Sequence, residues 1–146
     1  MPRLLHLADL HLGWSPRGLS EDRARLRRER RDGLLRQAVD VALSEAVDAV
    51  LIAGDLFERH RPDPATLAAA LAELRRLTDA GIALVTVPGN HDELSYANSV
   101  YRTEADRWPG VLVTRPTFGP VATLRLDGHD VHVAALAYVG GVTPAG

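Results

Sequence analysis

The sequence predicts an α/β protein, and three observations carry that prediction. Leu4-Leu5-His6-Leu7-Ala8, Ala49-Val50-Leu51-Ile52-Ala53 and Ile82-Ala83-Leu84-Val85-Thr86-Val87 are short apolar runs of strand length. Long stretches with helical spacing separate them, the alternation expected of buried parallel strands joined by crossover helices. Each run ends in a polar motif, and ligands of open α/β sheets bind beyond the carboxyl ends of the strands.

The elements follow in order. After the first run comes a loop through Trp14-Ser15-Pro16-Arg17-Gly18. A helix is predicted from Ser20 to Ala46, with Ser20 as N-cap, Glu21 and Asp22 in the first turn, and Leu35, Val39, Ala42 and Ala46 on one face. The next helix has clearer ends. Asp63 caps it, Pro64 takes the first position, Leu67, Leu71, Leu74 and Leu77 form its apolar stripe, and Gly81 stops it. Glu93 to Trp108 is weakly helical, and Val111 to Thr114 reads as a short strand. Asp127-Gly128, between Val121 to Leu126 and Val131 to Ala137, reads as the turn of a β-hairpin.

Composition bounds the function. At 146 residues the chain is expected to form one domain over 1-146, long enough to bury a core without staples. It has no cysteine, which excludes disulfides and thiolate chemistry. No secretory leader and no apolar run of membrane-spanning length is present, so a soluble, cytoplasmic protein is expected. The formal net charge of -2 does not mark a nucleic-acid binder, and any basic footprint must be local. Every basic residue outside histidine is arginine. Arg23, Arg25, Arg27, Arg28, Arg30 and Arg31 crowd one stretch, but Glu21, Asp22, Glu29 and Asp32 dilute it. A solvated helix face with i to i+4 pairs is the expected outcome there.

The motifs at the strand ends carry the chemistry. Asp9-Leu10-His11, Gly54-Asp55 and Gly89-Asn90-His91-Asp92 supply carboxylate, carboxamide and imidazole without thiolate. That donor set suits Mn²⁺ first, with Mg²⁺ or Fe as alternatives, over a structural zinc site. A bridging carboxylate, here Asp55, holds two ions at about 3.5 to 4 Å, the spacing that stabilises both oxygens of a phosphoryl transfer. Gly54 and Gly89 let the backbone turn and approach closely where a Cβ would intrude. Strand-end turn capping alone would explain Asp9 and Asp55, but not their company with His11 and Asn90-His91. His6 is expected as a core or sheet-face histidine and His60 as a solvated loop residue. His129 and His132, spaced His-x-x-His, are expected as plain hairpin residues.

Ala8-Asp9-Leu10-His11-Leu12-Gly13, Gly54-Asp55-Leu56-Phe57-Glu58 with Arg61-Pro62, and Pro88-Gly89-Asn90-His91-Asp92 resemble the calcineurin-like metallophosphoesterases. Within them the wording is most similar to the SbcD-type DNA-repair nuclease subunit. The resemblance implies a sandwich of β-sheets flanked by helices. It also implies metal-dependent hydrolysis of DNA phosphodiesters by exonuclease or endonuclease action, with DNA, a second copy of the chain and an SbcC-like ATPase as partners. Asp9 and His11 match ligands of the first metal, Asp55 the bridging carboxylate, and Asn90 a ligand of the second metal. His91 matches the histidine that assists the leaving oxygen, a role imidazole suits near neutral pH. Glu58 stands where the family commonly has histidine or aspartate, and it is expected to accept a hydrogen bond from His91. Asp92 is expected to shape its loop. Arg17, Arg59 and Arg61 follow the strand ends and are expected to contact phosphates.

Family members carry further metal-binding histidines downstream, one alone and two in Gly-His-x-His, and neither occurs before Gly146. The expectation is therefore the N-terminal part of a catalytic domain. On that reading it is inactive in isolation, holds at most one weakly bound Mn²⁺, self-associates through uncovered apolar surface, and has no closing element in Pro144-Ala145-Gly146. Two other functions fit the same motifs. One is a phosphodiesterase or phosphatase acting on a small nucleotide or phospho-substrate. The other is a non-catalytic scaffold that retains a partial metal site.

Overall fold

The computed structural model describes residues 1–138 and residue 140. Strands β1 (Leu4–Leu7), β2 (Ala49–Ala53), β3 (Ala83–Val87) and β4 (Val111–Leu112) form a parallel sheet in sequential order. Helix α1 (Glu21–Ser44) joins β1 to β2, and α2 (Pro64–Asp79) joins β2 to β3. Sequential order means that each crossover returns the chain beside the strand it left, so the three motif-bearing ends lie side by side along one rim.

Pleating explains what is buried. Register places Leu5 and Leu7, Val50 and Ile52, and Leu84 and Thr86 on one face of the sheet. Val50 and Ile52 are fully enclosed in one cluster with Leu35 and Val39 of α1 and Leu74 and Leu77 of α2. The other face is unevenly covered. Val85 is buried there, whereas Leu4, His6 and Ala53 are exposed. The expectation of fully buried strands therefore fails at β1, which is an edge strand with one open face, and His6 is a surface residue.

The helices match their predicted spans with instructive differences. Asp63 caps α2 by accepting the amides of Ala65 and Thr66 at 3.1 and 3.0 Å, and Gly81 follows at φ +79°. Ser20 occupies the N-cap of α1, but its side chain makes no capping bond. Ala46 lies beyond the helix at φ +47° and is exposed, so the buried face of α1 consists of Ala24, Leu35, Val39 and Ala42.

The arginines of α1 do not form the expected i to i+4 pairs. Among the described residues the one ion pair within α1 is Asp22 with Arg25, at i to i+3. Instead, Arg31 donates to the Leu10 carbonyl at 3.1 Å and lies 5.0 Å over the Trp14 ring, while Arg28 donates to Ser15 Oγ at 3.0 Å. Gly13 N–H donates to Asp32 Oδ1 at 3.0 Å. The first half of α1 thus braces the loop that follows β1. Farther along, Arg36 reaches Glu73 and Arg76 reaches Asp40, tying α1 to α2.

The weakly helical stretch contains only α3 (Val100–Thr103) and a single 3-10 turn at Ala105–Arg107. The short strand predicted at Val111 to Thr114 pairs over two residues, and Val113 N–H extends it by one bond to the Thr86 carbonyl. Strands β5 (Gly119–Leu126) and β6 (His129–Ala135) form an antiparallel hairpin through Asp127 and Gly128, both at positive φ. Val121, Leu124, Val133 and Ala135 of the hairpin lie against the core. Of the two layers of the sandwich, the described residues supply the parallel sheet and this two-stranded second sheet. Pro144-Ala145-Gly146 lie outside the described residues.

Candidate metal centre

Backbone pairing continues past the ends of the strands and gathers the motifs. Gly54 N–H donates to the Val87 carbonyl at 2.9 Å, and Asp9 N–H donates to the Gly54 carbonyl at 3.2 Å. His11 N–H then meets the Asp55 carbonyl at 2.9 Å, Leu12 N–H the Leu56 carbonyl at 2.8 Å, and Glu58 N–H the Leu12 carbonyl at 3.0 Å. The first two loops therefore run side by side as an irregular ribbon.

Within that ribbon Asp9, His11 and Asp55 adopt φ of 57°, 50° and 51°, and Gly54 adopts 88°. Left-handed backbone is uncommon for residues with a Cβ and costs on the order of 1 to 3 kcal/mol each, so it persists only where surrounding structure imposes it. Here the imposed turns direct side chains from separate loops toward one point. His11, Asp55 and His91 each offer a ligand atom, and these atoms lie within 4.8 Å of one another.

Asp55 is buried, and it has two roles in the geometry. Its Oδ1 accepts the His91 amide at 2.8 Å, which ties the third loop to the second. Its Oδ2 lies 3.8 Å from His11 Nε2. Gly89 makes that approach feasible. A Cβ there would fall 2.8 Å from Asp55 Cγ and would press still harder on Asp55 Oδ1 and its amide nitrogen. The glycine is required by a carboxylate, not by its own φ.

His11 and His91 meet edge to face with ring centroids 4.6 Å apart. Glu58 is placed between them, though not as expected. Its backbone carbonyl lies 3.2 Å from His91 Nδ1, while its carboxylate is 3.0 Å from His11 Nδ1 and 3.8 Å from His91 Nδ1. The shorter approach misses hydrogen-bond geometry and leaves the buried His11 Nδ1 without a partner. Asp9 is at the open edge with its side chain 73% exposed and Oδ1 3.8 Å from His11 Nε2. Asn90 is exposed between Gly89 and His91.

Asp92 lies behind the centre, fully enclosed. Its Oδ1 accepts the Gly89 amide at 2.7 Å, and its Oδ2 accepts the Phe57 amide at 3.1 Å and the Tyr101 hydroxyl at 2.7 Å. Burial pushes its carboxyl above the usual carboxylate range, against the hydrogen bonds from Tyr101, Phe57 and Gly89 that favour the charged form. Burial first, and the adjacent Asp92 second, raise the Tyr101 phenol well above its ordinary value, which keeps it a donor. Tyr101 also touches Phe57 and Trp108 in an aromatic cluster, and the Trp108 indole donates to Thr86 Oγ1 at 3.1 Å. Sequence reading singled out Asp92 but missed Tyr101 and Trp108, since nothing in their local pattern marks them as supports for a distant loop.

Arg59 and Arg61 line a shallow depression of about 380 Å³ with Leu12, Gly13, Glu58 and Asp63, beside the centre. Arg17 is exposed and is not among the residues lining it. None of the three is ion-paired among the described residues. His60 is not the solvated residue expected. Its ring stacks on Tyr96 at 3.9 Å between centroids and 18° between planes.

The model of the calcineurin-like phosphoesterase family matches residues 2–135. The chain is 43% identical over 95 residues to the DNA double-strand break repair protein Mre11 of Aeropyrum pernix, covering 63% of this chain and 21% of that protein. It is 35% identical over 143 residues to the Mre11 of Halobacterium salinarum, covering 92% and 36%. The chain thus spans between about a fifth and a third of the length of these relatives. Among solved structures, the Pseudomonas putida nuclease MPE is similar in fold, with a TM-score of 0.51 at 19% identity, covering 99% of this chain and 81% of that one.

Proposed function

The chain belongs to the calcineurin-like phosphoesterase family, and from that premise we propose that it carries part of the catalytic centre of a divalent-metal-dependent DNA-repair nuclease. One observation carries the proposal: His11, Asp55 and His91, from three separate loops, present ligand atoms within 4.8 Å of one another. The identity with Mre11 proteins, over up to 92% of this chain, supports DNA as the substrate class.

The residues suit a divalent ion. His11 Nε2 lies 3.8 Å from the carboxylates of both Asp9 and Asp55, Gly89 admits Asp55 where a Cβ would clash with its carboxylate, and the donors are hard oxygen and imidazole. Asp9, His11 and Asp55 are assigned to one ion, and Asp55 with Asn90 to the other. Mn²⁺ is the first choice among the ions this set accepts. When bound, such a pair supplies Lewis-acid stabilisation of the phosphoryl oxygens and lowers the pKa of water for in-line attack.

The chain's own residues do the rest. Asp55 holds the third loop through the His91 amide, so the carboxylate and the imidazole are positioned by one contact. The Glu58 carbonyl orients the His91 ring at Nδ1, which leaves Nε2 to face the departing sugar oxygen and give or share a proton there. Asp92, held by Tyr101, fixes Gly89 and Phe57 at the base of both loops. Arg59 and Arg61, with Arg17, supply positive charge for phosphates without reading sequence.

No helix among the described residues is long and apolar enough to cross a membrane, and a cytoplasmic protein acting on DNA is part of the proposal. A second copy of the chain and an SbcC-like ATPase are its proposed partners. The test measures Mn²⁺-dependent cleavage of duplex DNA ends beside cleavage of a chromogenic bis-phosphodiester, in the protein extended to the length of its relatives. Cleavage of the DNA is expected. Turnover of the small ester alone would replace this reading with a small-substrate phosphodiesterase, and turnover of neither would leave a binding scaffold.

A further inference from the structure

The His60–Tyr96 stack belongs to no metal ligand set, yet it joins two of the three loops that build the centre. His60 follows Glu58 by two residues, and Tyr96 lies five residues beyond His91. The segments already meet where the Glu58 carbonyl faces His91 Nδ1 at 3.2 Å, so the stack extends outward from that contact. Both backbones are pinned beside the rings. The His60 carbonyl accepts the Val100 amide at 2.7 Å, and the Tyr96 carbonyl accepts the Ser99 amide at 3.0 Å.

The two rings are not equally covered. His60 is half-buried, whereas Tyr96 remains 48% exposed. A ring backed on one face by a nearly parallel imidazole, at 3.9 Å and 18°, is held at a fixed tilt with much of its surface in water. Arg59 and Arg61 flank His60 in the chain and line the depression that Glu58 shares. Flat exposed aromatic surface beside unpaired guanidinium groups is the combination that holds single-stranded nucleic acid, bases on the ring and phosphates on the charges.

We propose that the exposed face of Tyr96, backed by His60, is a stacking platform for one unpaired nucleobase of a strand whose phosphates lie on Arg59 and Arg61. The inference rests on the nuclease reading above and names a substrate feature that it leaves open, a frayed or single-stranded end. Stacking tolerates any base, so the platform would position a strand without selecting its sequence.

The experiment measures binding of the purified chain, in EDTA to prevent cleavage, to two strands of equal length and charge. One is a mixed-sequence DNA oligonucleotide, and the other is built entirely of abasic deoxyribose phosphate. The unsubstituted protein is expected to bind the base-bearing strand about 5- to 150-fold more tightly, the range for one base on one aromatic ring. Tyr96→Leu, which keeps bulk without a π face, should abolish the difference, as should Tyr96→Ala, while Tyr96→Trp keeps it. Equal melting temperatures would show that the Leu variant is folded. An unsubstituted protein that binds both strands equally would overturn the platform and leave DNA binding intact. One that binds neither would overturn the platform together with the DNA reading, and a Tyr96→Leu variant that keeps the full preference would move the base elsewhere.

Discussion

The rim of the parallel sheet and the β5–β6 hairpin contain the same kinds of residue, and among the described residues it is the rim that gathers a candidate ligand cluster. The hairpin carries His129, Asp130, His132 and Arg125, a set with metal-binding and catalytic potential by type. Its side chains answer one another across the strands: Thr123 Oγ1 lies 3.0 Å from His132 Nδ1, and Arg125 reaches Asp130 at 2.8 Å, each pair in direct register. A regular ladder keeps successive side chains on alternate faces and separates partners along the strand. At the rim the regular pattern has ended. Left-handed turns at Asp9, His11 and Asp55 redirect the first two loops, and the His91 amide on Asp55 Oδ1 brings the third to the same point. Convergence, not residue type, separates the two regions.

Two glycines test that contrast with the largest effect. Gly89 is crowded by Asp55, while Gly128 has no atom within 4 Å of a built Cβ and is special only in its φ of +76°. Gly89→Ala should overpack the rim, destabilise the fold by about 3 kcal/mol and displace Asp55, with loss of bound Mn²⁺. Gly128→Ala should cost about 1 to 2 kcal/mol for the left-handed backbone and leave metal uptake unchanged. Denaturant melts beside metal titrations read both. Equal losses of metal uptake in the two variants would remove the distinction between the regions.

Much of the rim was legible because its signals are local. Apolar runs, the Asp63-Pro64 helix start and the Asp127-Gly128 turn all depend on a few adjacent residues, and the structure follows them. The supports were not legible. Tyr101 acts on Asp92 nine residues away in the chain, and Arg31 acts on Leu10 across 21. No periodicity encodes such pairs. Ser20 shows the converse, a local signal that the tertiary structure leaves unused. The half-open face of β1 was hidden for a related reason, since burial of an edge strand depends on what the chain places over it.

The second test exchanges functional groups between the regions. Asp55→Ala should abolish Mn²⁺ binding, because one carboxylate is assigned to both ions. His91→Asn, in the protein extended to the length of its relatives, should abolish cleavage while metal content stays nearly unchanged. His129→Asn and His132→Asn should alter neither quantity. Metal analysis after desalting decides the matter. Loss of Mn²⁺ in His91→Asn would make that imidazole a ligand, as its place in the 4.8 Å cluster permits, and retention of two ions in Asp55→Ala would remove the bridge.

Charge gives a smaller effect. Neutralising Arg17, Arg59 and Arg61 singly should weaken binding to all DNA sequences alike and lower the salt dependence by about 0.9 log unit for each phosphate no longer neutralised. Arg125→Ala in the hairpin should leave the slope unchanged. A flat response at Arg17 alone would agree with its absence from the depression that Arg59 and Arg61 share.

The smallest effects come from two exposed aspartates, one beside each region. Asp63 closes the loop that leaves the rim and caps α2 through the Ala65 and Thr66 amides and the Thr66 hydroxyl. Removing it as Asp63→Ala should cost about 1 kcal/mol. The Thr66 hydroxyl first, and its amide second, hold the Asp63 carboxyl below the usual carboxylate range. A depressed folded value stabilises the fold above the unfolded pKa of about 3.9 and loses that contribution as pH falls through the folded value. The cost of Asp63→Ala should therefore shrink in acid. Asp130 instead pairs with Arg125 on the open face of the hairpin, where an exposed ion pair contributes about 0.2 to 1 kcal/mol and is screened by salt. Asp130→Ala should sit at the low end of that range and vanish in high salt, whereas the Asp63 cap, built on fixed backbone amides, should persist. Matching salt responses in the two variants would mean that the cap is no more structured than a surface pair, and that the rim ends before α2 begins.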